Sequence, residues 1–254
     1  MNTLLDCAQA AAIAAGQHAL RNRQRRQRDA RLFEHDVKLE LDRECQTVAE
    51  QVIRQRYPHH AFLGEEDTHH TSTDAEMRWI IDPIDGTVNF FHGLPIWCSS
   101  VAVQRRGQTL AGAVFAPQLD CCYTARVGRR ARCNGRVIRV SETARLDQAM
   151  IATGIAKARE LHAQSLQNFT KMTAKARKTR IMGSAALDIC HVACGQIDAF
   201  YENGIFLWDI AAGALIVQQA GGMGEILHSG PGQRMTFMAT NGKLHRAMRR
   251  LFDK

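Results

Sequence analysis

No stretch of this chain approaches the roughly 20 consecutive apolar residues that cross a bilayer. The opening Met1-Asn2-Thr3-Leu4-Leu5-Asp6 has neither the basic region nor the cleavage site of an export signal. A membrane role is therefore not expected, and a cytoplasmic location is. There is no repeat, no low-complexity tract and no Pro/Ser-rich linker, which excludes solenoid and disordered classes. Aromatic residues make up only 6% of the chain. The eight cysteines, at 7, 45, 98, 121, 122, 133, 190 and 194, form no paired CxxC spacing and read as reduced, mostly buried thiols. Cys190-His191 with Cys194 offers one helical turn to a soft metal, but cysteine in an apolar helix packs as a small hydrophobe. His59-His60 and His69-His70 read as surface histidines.

What is present is ordinary for a globular protein: 254 residues, 45% hydrophobic and 23% charged, enough for one large or two modest domains. Helical periodicity runs over 3–32 and 43–56, where Tyr57-Pro58 stops it. Strand-like runs follow at 61–64, 78–82, 97–104, 109–116 and 120–125, the last three reading as an antiparallel meander. From Asp147 the texture changes to alternating strands at 150–152, 180–182, 199–201 and 224–227 with helices at 158–175, 184–194 and 209–220. This shift predicts an N-terminal α+β half, 1–144, and a C-terminal α/β half, 145–254.

The chemistry is concentrated in Asp82-Pro83-Ile84-Asp85-Gly86-Thr87. The apolar run Trp79-Ile80-Ile81 predicts a buried strand that ends there in two carboxylates, a glycine and a hydroxyl. Pro83 brings on a turn, so the two carboxylates converge on one point instead of alternating across a sheet. Converging carboxylates either share a proton or hold a cation. Gly86 lets backbone approach a ligand, and a helix starting near Thr87 would aim free N–H groups at an anion. A cation and an anion at one spot suggest metal-assisted phosphate chemistry.

Two further segments, Leu63-Gly64-Glu65-Glu66-Asp67 and Trp208-Asp209-Ile210-Ala211-Ala212-Gly213-Ala214, together with the Asp82–Thr87 motif, are similar in order and spacing to the inositol monophosphatase family. These are magnesium-dependent, lithium-sensitive sugar phosphatases related to fructose 1,6-bisphosphatase. The resemblance runs from about Asp36 to Gly222 and extends to Asn89–Pro95, Tyr123–Arg126, Cys133-Asn134-Gly135 and Gly183–Asp188. It implies a layered α-β-α-β-α sandwich with the active site between the halves, two or three Mg²⁺ ions, and in-line attack of metal-activated water on a phosphate monoester.

By the same resemblance, Glu65, Asp82 and the Ile84 carbonyl would hold one ion and Asp82, Asp85 and Asp209 a second, with Glu65 touching a weaker third. Thr87, paired with Asp42, would orient the attacking water, and Glu66 would sit just behind the metals. Leucine at 41 departs from the threonine that often precedes that aspartate. The Gly86 and Thr87 amides would hold phosphate. Gly183, Ser184 and Ala185 resemble a sugar-hydroxyl loop, and Glu202, seven before Asp209, takes the place of a polyol-binding glutamate. Relatives are usually dimers, so a homodimer is expected. Myo-inositol monophosphate or a close relative is the expected substrate; histidinol phosphate, fructose 1,6-bisphosphate and 3'-phosphoadenosine 5'-phosphate stay open.

The formal charge of +8 attracts polyanions. Arg21, Arg23, Arg25, Arg26, Arg28 and Arg31 crowd one stretch and suggest a second function class, a nucleic-acid or transcription-complex partner. Without interleaved aromatics, a solvated helix face is the reading adopted.

Overall fold

The computed structural model describes residues 3–27, 30–32, 37–67, 75–156, 158–230 and 234–252. In chain order the elements are α1 (Leu4–Arg21), β1 (Ala30–Leu32), β2 (Val37–Leu39), α2 (Glu40–Arg54), β3 (Ala61–Gly64), β4 (Met77–Asp85), α3 (Thr87–His92), β5 (Cys98–Arg105), β6 (Gln108–Ala116), β7 (Cys121–Arg126), β8 (Arg132–Cys133) and β9 (Arg136–Val137). There follow β10 (Met150–Thr153), α4 (Arg159–Lys175), β11 (Lys178–Arg180), α5 (Ala185–Ala193), β12 (Ala199–Ile205), α6 (Leu207–Gln219), β13 (Met223–Ser229), β14 (Met235–Thr240) and α7 (His245–Phe252).

Side-chain alternation along the strands decides the layering. In β4, Trp79 and Ile81 face α1 and α2, whose buried stripe is Cys7, Ala8, Ala11, Ala12, Ala15 and Ala19 with Leu41, Cys45, Ala49 and Ile53. Ile80, one residue out of phase, faces α5 and α6. Small residues set the spacing: a Cβ on Gly112 would lie 3.0 Å from Ala212, so β6 and α6 touch backbone to backbone. The second sheet covers α5 and α6 from the other side through Phe200 and Phe237. Its outer face, with Ile151, Tyr201 and Met238, packs on Met172 of α4 and Met248 of α7. The result is α1/α2, sheet, α5/α6, sheet, α4/α7, the expected five-layer α-β-α-β-α arrangement.

The first sheet has the order β3-β4-β5-β6-β7-β8-β9, antiparallel except for β3 beside β4, and so contains the expected meander. The second is mixed, in the order β11-β10-β12-β14-β13, with β10 parallel to both its neighbours.

Several element boundaries differ from the sequence reading: α2 begins at Glu40, β4 runs on through Pro83 to Asp85 where a turn is expected, β12 extends to Ile205, and β14 and α7 have no counterpart in it. The helix expected over 3–32 ends at Arg21, because its buried stripe ends at Ala19 and the Asn22 amide donates back to the His18 carbonyl at 2.9 Å. It begins as a capping box, Asp6 N donating to Thr3 and Thr3 N to the Asp6 carboxylate. The strand expected at 180–182 is β11, two residues earlier; Ile181 is 53% exposed, and the chain there is already leaving the sheet.

Candidate active site

β4 delivers Asp82 and Asp85 to one place because its ladder with β5 slips between them. Asp82 pairs with Ser100 and Asp85 with Cys98, so three steps on β4 match two on β5. The Ser99 hydroxyl donates to the Pro83 carbonyl at 2.6 Å and pins the bulge. Asp209 arrives from the first turn of α6, where one carboxylate oxygen caps the helix by accepting the Phe206 N–H at 2.6 Å. Asp82, Asp85 and Asp209 each place a carboxylate oxygen within 4.8 Å of the others, and among the described residues no other group of three or more His, Cys, Asp or Glu side chains is so close. Cys190, His191 and Cys194 are thus not gathered into a metal cluster.

The electrostatics of this cluster are unfavourable without a counter-charge. Asp82 is 1% exposed and its Oδ1 has no hydrogen-bond partner among the described residues. Burial first, then Glu65, Asp85, Asp209 and Asp42, push its carboxyl well above the ordinary range. Asp85 is also raised by burial, but less, because the Ser184 hydroxyl (2.5 Å) and the Ala186 (2.8 Å) and Ala185 (3.2 Å) amides donate to it. Asp209 is raised by burial and by Asp85. Two buried carboxylates and a half-buried third, mutually repelling, are what a hard divalent cation neutralises, and the donor set fits such an ion.

Glu65 follows the end of β3, its N–H donating to the Ile81 carbonyl at 3.1 Å, and its charge acts on both Asp82 and Asp209. Asp42, 2% exposed in the first turn of α2, acts on Asp82 as well. Glu66 holds Arg43 at 3.7 Å. Thr87 donates its hydroxyl to the Ile84 carbonyl at 3.0 Å, so these two site residues meet directly. Gly86 has φ of +92°, and a Cβ there would lie 3.0 Å from the Ile96 carbonyl and 3.2 Å from that of Gly183. No side chain fits that position.

A cleft of about 550 Å³ opens from Asp85, Gly86, Thr87 and Asp209 to Glu202 on the opposite wall. Gly183, Ser184 and Ala185 line it, but the Ser184 hydroxyl and Ala185 amide are engaged by Asp85. Glu202 lies over Gly154, where a Cβ would come within 2.2 Å of its carboxylate, and burial with the Asp85 charge pushes it up to about 8.

Three contributors escape sequence reasoning. Gln46 of α2 donates to Asp67 at 2.7 Å and accepts from the Glu66 N–H at 3.1 Å, clamping the turn that carries Glu65; a Cβ on Gly64 would strike it. Asn89 donates to the Ile96 and Met182 carbonyls, both at 2.7 Å, and ties α3 to the 182–185 loop. Asp188, on the cleft wall and 2% exposed, has an Oδ1 without a hydrogen-bond partner among the described residues. Burial, Asp85 and Glu202 raise it well above its ordinary range. Asn89 and Asp188 stand in stretches similar to the family; Gln46 leaves only the trace that Gly64 is a glycine.

The five-layer α-β-α-β-α stack thus brings a cluster of carboxylates fit for a cation to a cleft. Residues 1–249 match the model of the inositol monophosphatase family, and the chain belongs to that family. It is 38% identical over 230 residues to a putative Nus factor SuhB of Neisseria meningitidis serogroup B, covering 88% of this chain and 87% of that one. It is 35% identical over 222 residues to an inositol-1-monophosphatase of Rhizobium meliloti, covering 86% and 84%. The crystal structure of extragenic suppressor protein suhB from Bartonella henselae superposes with a TM-score of 0.91 at 31% identity, covering 100% of this chain and 99% of that one.

Proposed function

We propose that this phosphatase is Mg²⁺-dependent and hydrolyses myo-inositol monophosphate or a closely related polyol phosphate. The observation that carries the reading is that one cleft joins the Asp82/Asp85/Asp209 cluster to Glu202, a carboxylate outside that cluster. Glu65, Asp82, Asp85, Asp209 and the Ile84 carbonyl would hold two or three ions, Asp82 being shared. When bound, Mg²⁺ neutralises the phosphoryl oxygens, lowers the pKa of water and stabilises the leaving alkoxide.

The chain's own groups do the rest. The Gly86 and Thr87 amides receive the phosphate, which the left-handed backbone at Gly86 allows. Thr87, with its hydroxyl on the Ile84 carbonyl, stands beside the cation site to orient water. Asp42 and Glu66 stand behind the ligands and hold their charge and position. Glu202 accepts hydrogen bonds from substrate hydroxyls, and the Gly183–Ala185 turn closes that wall. A polyol has such hydroxyls in number; an adenine nucleotide presents fewer. The naming of relatives as inositol-1-monophosphatases supports the same substrate class. The family resemblance supports a homodimer as the active species.

The test is phosphate release at saturating Mg²⁺ from inositol 1-phosphate, histidinol phosphate, fructose 1,6-bisphosphate and 3'-phosphoadenosine 5'-phosphate. The highest kcat/KM is expected on inositol 1-phosphate. Faster turnover of the adenine nucleotide or of histidinol phosphate would remove the polyol reading.

A further inference from the structure

We propose that the outer edge of the seven-stranded sheet is a docking strip for the phosphate backbone of single-stranded nucleic acid. Between 126 and 139 stand six arginines, Arg126, Arg129, Arg130, Arg132, Arg136 and Arg139, with no lysine and no carboxylate. They lie at the end of β7, on the turn after it, and along β8 and β9, the outermost pair of the sheet. Arg126 is half-buried and the other five are exposed. None has a carboxylate partner among the described residues. Arg126, Arg129, Arg130 and Arg132 surround a cleft of about 430 Å³ that shares no residue with the cleft of the active site.

The strip is presented by defined backbone. Gly128 (φ +75°), Asn134 (φ +48°) and Gly135 (φ +77°) make tight turns, and a Cβ on either glycine would meet nothing within 4 Å, so the turn tips stand clear of the body. The Asn134 side chain ties the second turn to β7, accepting from Cys122 N at 2.8 Å and donating to the Asp120 carbonyl at 2.6 Å. Arg132 donates to the Gly135 carbonyl at 2.5 Å and so stays within its own turn. The arginine-rich stretch that the sequence points to first is partly engaged elsewhere in the fold. Arg25 pairs with Glu44 at 2.7 Å, Arg26 donates to the Phe91 carbonyl at the end of α3, and Arg21 and Arg23 donate to carbonyls of α1.

Three observations select the occupant. Guanidinium groups match phosphate with paired donors in a fixed plane. A protein partner is held by apolar and aromatic anchors ringed by charge, but 126–139 contains no aromatic residue, and its exposed large apolar side chains are Val127 and Val137 alone. A second copy placed across a two-fold axis would set this strip against itself, arginine against arginine. A flexible polyphosphate chain can thread the cleft and follow the strip. The lack of aromatic residues, which also told against base stacking on the 21–31 stretch, limits this strip to phosphate contacts, which carry no sequence preference.

The experiment is fluorescence anisotropy of the full chain with labelled ~20-nucleotide single-stranded RNA, the matching single-stranded DNA and a duplex, across a salt series. RNA and DNA single strands are expected to bind equally, and more tightly than the duplex. The triple variant Arg129→Gln/Arg130→Gln/Arg132→Gln is expected to bind about 10 to 100-fold more weakly. Its log K against log[salt] slope should be shallower by about 2, since each lost single-strand phosphate contact removes about 0.7. Its phosphate release and melting temperature should equal those of the wild type, and Arg129→Gln alone should show a smaller loss in the same direction. Arg21→Gln/Arg23→Gln should leave binding unchanged. Undiminished binding by the triple variant, a larger loss in the Arg21/Arg23 variant, tighter binding of the duplex, or displacement of RNA by an acidic peptide at equal or lower concentration would each overturn the proposal.

Discussion

The two ends of the active-site cleft are both built from buried carboxylates with raised pKa values, yet they call for opposite partners. At one end Asp82, Asp85 and Asp209 share a single point, and each raises the next. Charge of that density is relieved by a cation. Toward the other end Glu202 lies over Gly154, raised by burial and by Asp85, and Asp188 on the same cleft is raised in part by Glu202. Carboxylates that are not gathered at one point are relieved by neutral donors such as hydroxyls. On the function proposed above, local density of acid would divide one cleft into a catalytic end and a recognition end.

The largest expected effect breaks the catalytic end. Asp82→Asn removes the most central charge of the cluster, and kcat should fall by at least about 10³-fold, the scale of a lost electrostatic contribution of this kind. The same change should raise the melting temperature in excess chelator, because a buried, repelled carboxylate has gone. A mild fall in kcat would mean that the cluster lies away from the reacting atoms.

At the recognition end the effect should depend on substrate. Glu202→Gln should weaken turnover of inositol 1-phosphate by about 1.5 to 3 kcal/mol, roughly 10 to 150-fold in kcat/KM, and leave a plain aryl phosphate nearly unchanged. An equal fall on both substrates would place Glu202 with the cation site and erase the contrast. A smaller effect belongs to the frame: Gln46→Leu leaves Asp67 and the Glu66 N–H without their partner and should cost about 1 to 3 kcal/mol of stability. If urea melts show no loss, Gln46 does not clamp the Glu65 turn.

The pH dependence of stability separates the ends in another way. A carboxyl whose folded pKa is raised contributes stability that is complete below its ordinary pKa and lost as pH rises through the raised one. For Glu202 that window runs from 4.5 to about 8, and Asp82, Asp85 and Asp209 shift in the same direction. The metal-free protein should therefore lose stability from pH 5 to pH 8. Saturating Mg²⁺ should flatten the part due to the cluster and leave the part due to Glu202, which Glu202→Gln removes. Rising stability over that range without metal would contradict the assignment.

The Asp82–Asp85 half of the cluster was legible in the sequence because it is local, whereas Asp209 and Glu65 were joined to it by family resemblance. An apolar run stopped by Asp-Pro-Ile-Asp-Gly-Thr needs a strand and a bulge to converge, and β4 provides both. Periodicity gave an α+β half followed by an α/β half, and the five layers were expected from the family resemblance. What stayed hidden depends on distant neighbours. Gln46 becomes a clamp only when α2 lies across β3, and Asp188 becomes part of the cleft only when α5 meets β12. β14 lies inside the second sheet, between β12 and β13, although its mixed composition, Met235–Thr240, carries no alternation strong enough to announce a strand. Arg25 and Arg26 read as solvated in the sequence because Glu44 and the Phe91 carbonyl reach them only in the fold.

The most direct test of the cation site is phosphate release from inositol 1-phosphate by chelator-treated protein, followed by Mg²⁺ titration with Li⁺ and Ca²⁺ as competitors. Activity should be absent in chelator, return with Mg²⁺, and fall again with Li⁺ or with excess Ca²⁺, whose larger radius loosens octahedral geometry. Full activity in excess chelator would contradict the central claim that Asp82, Asp85 and Asp209 work by holding a divalent ion.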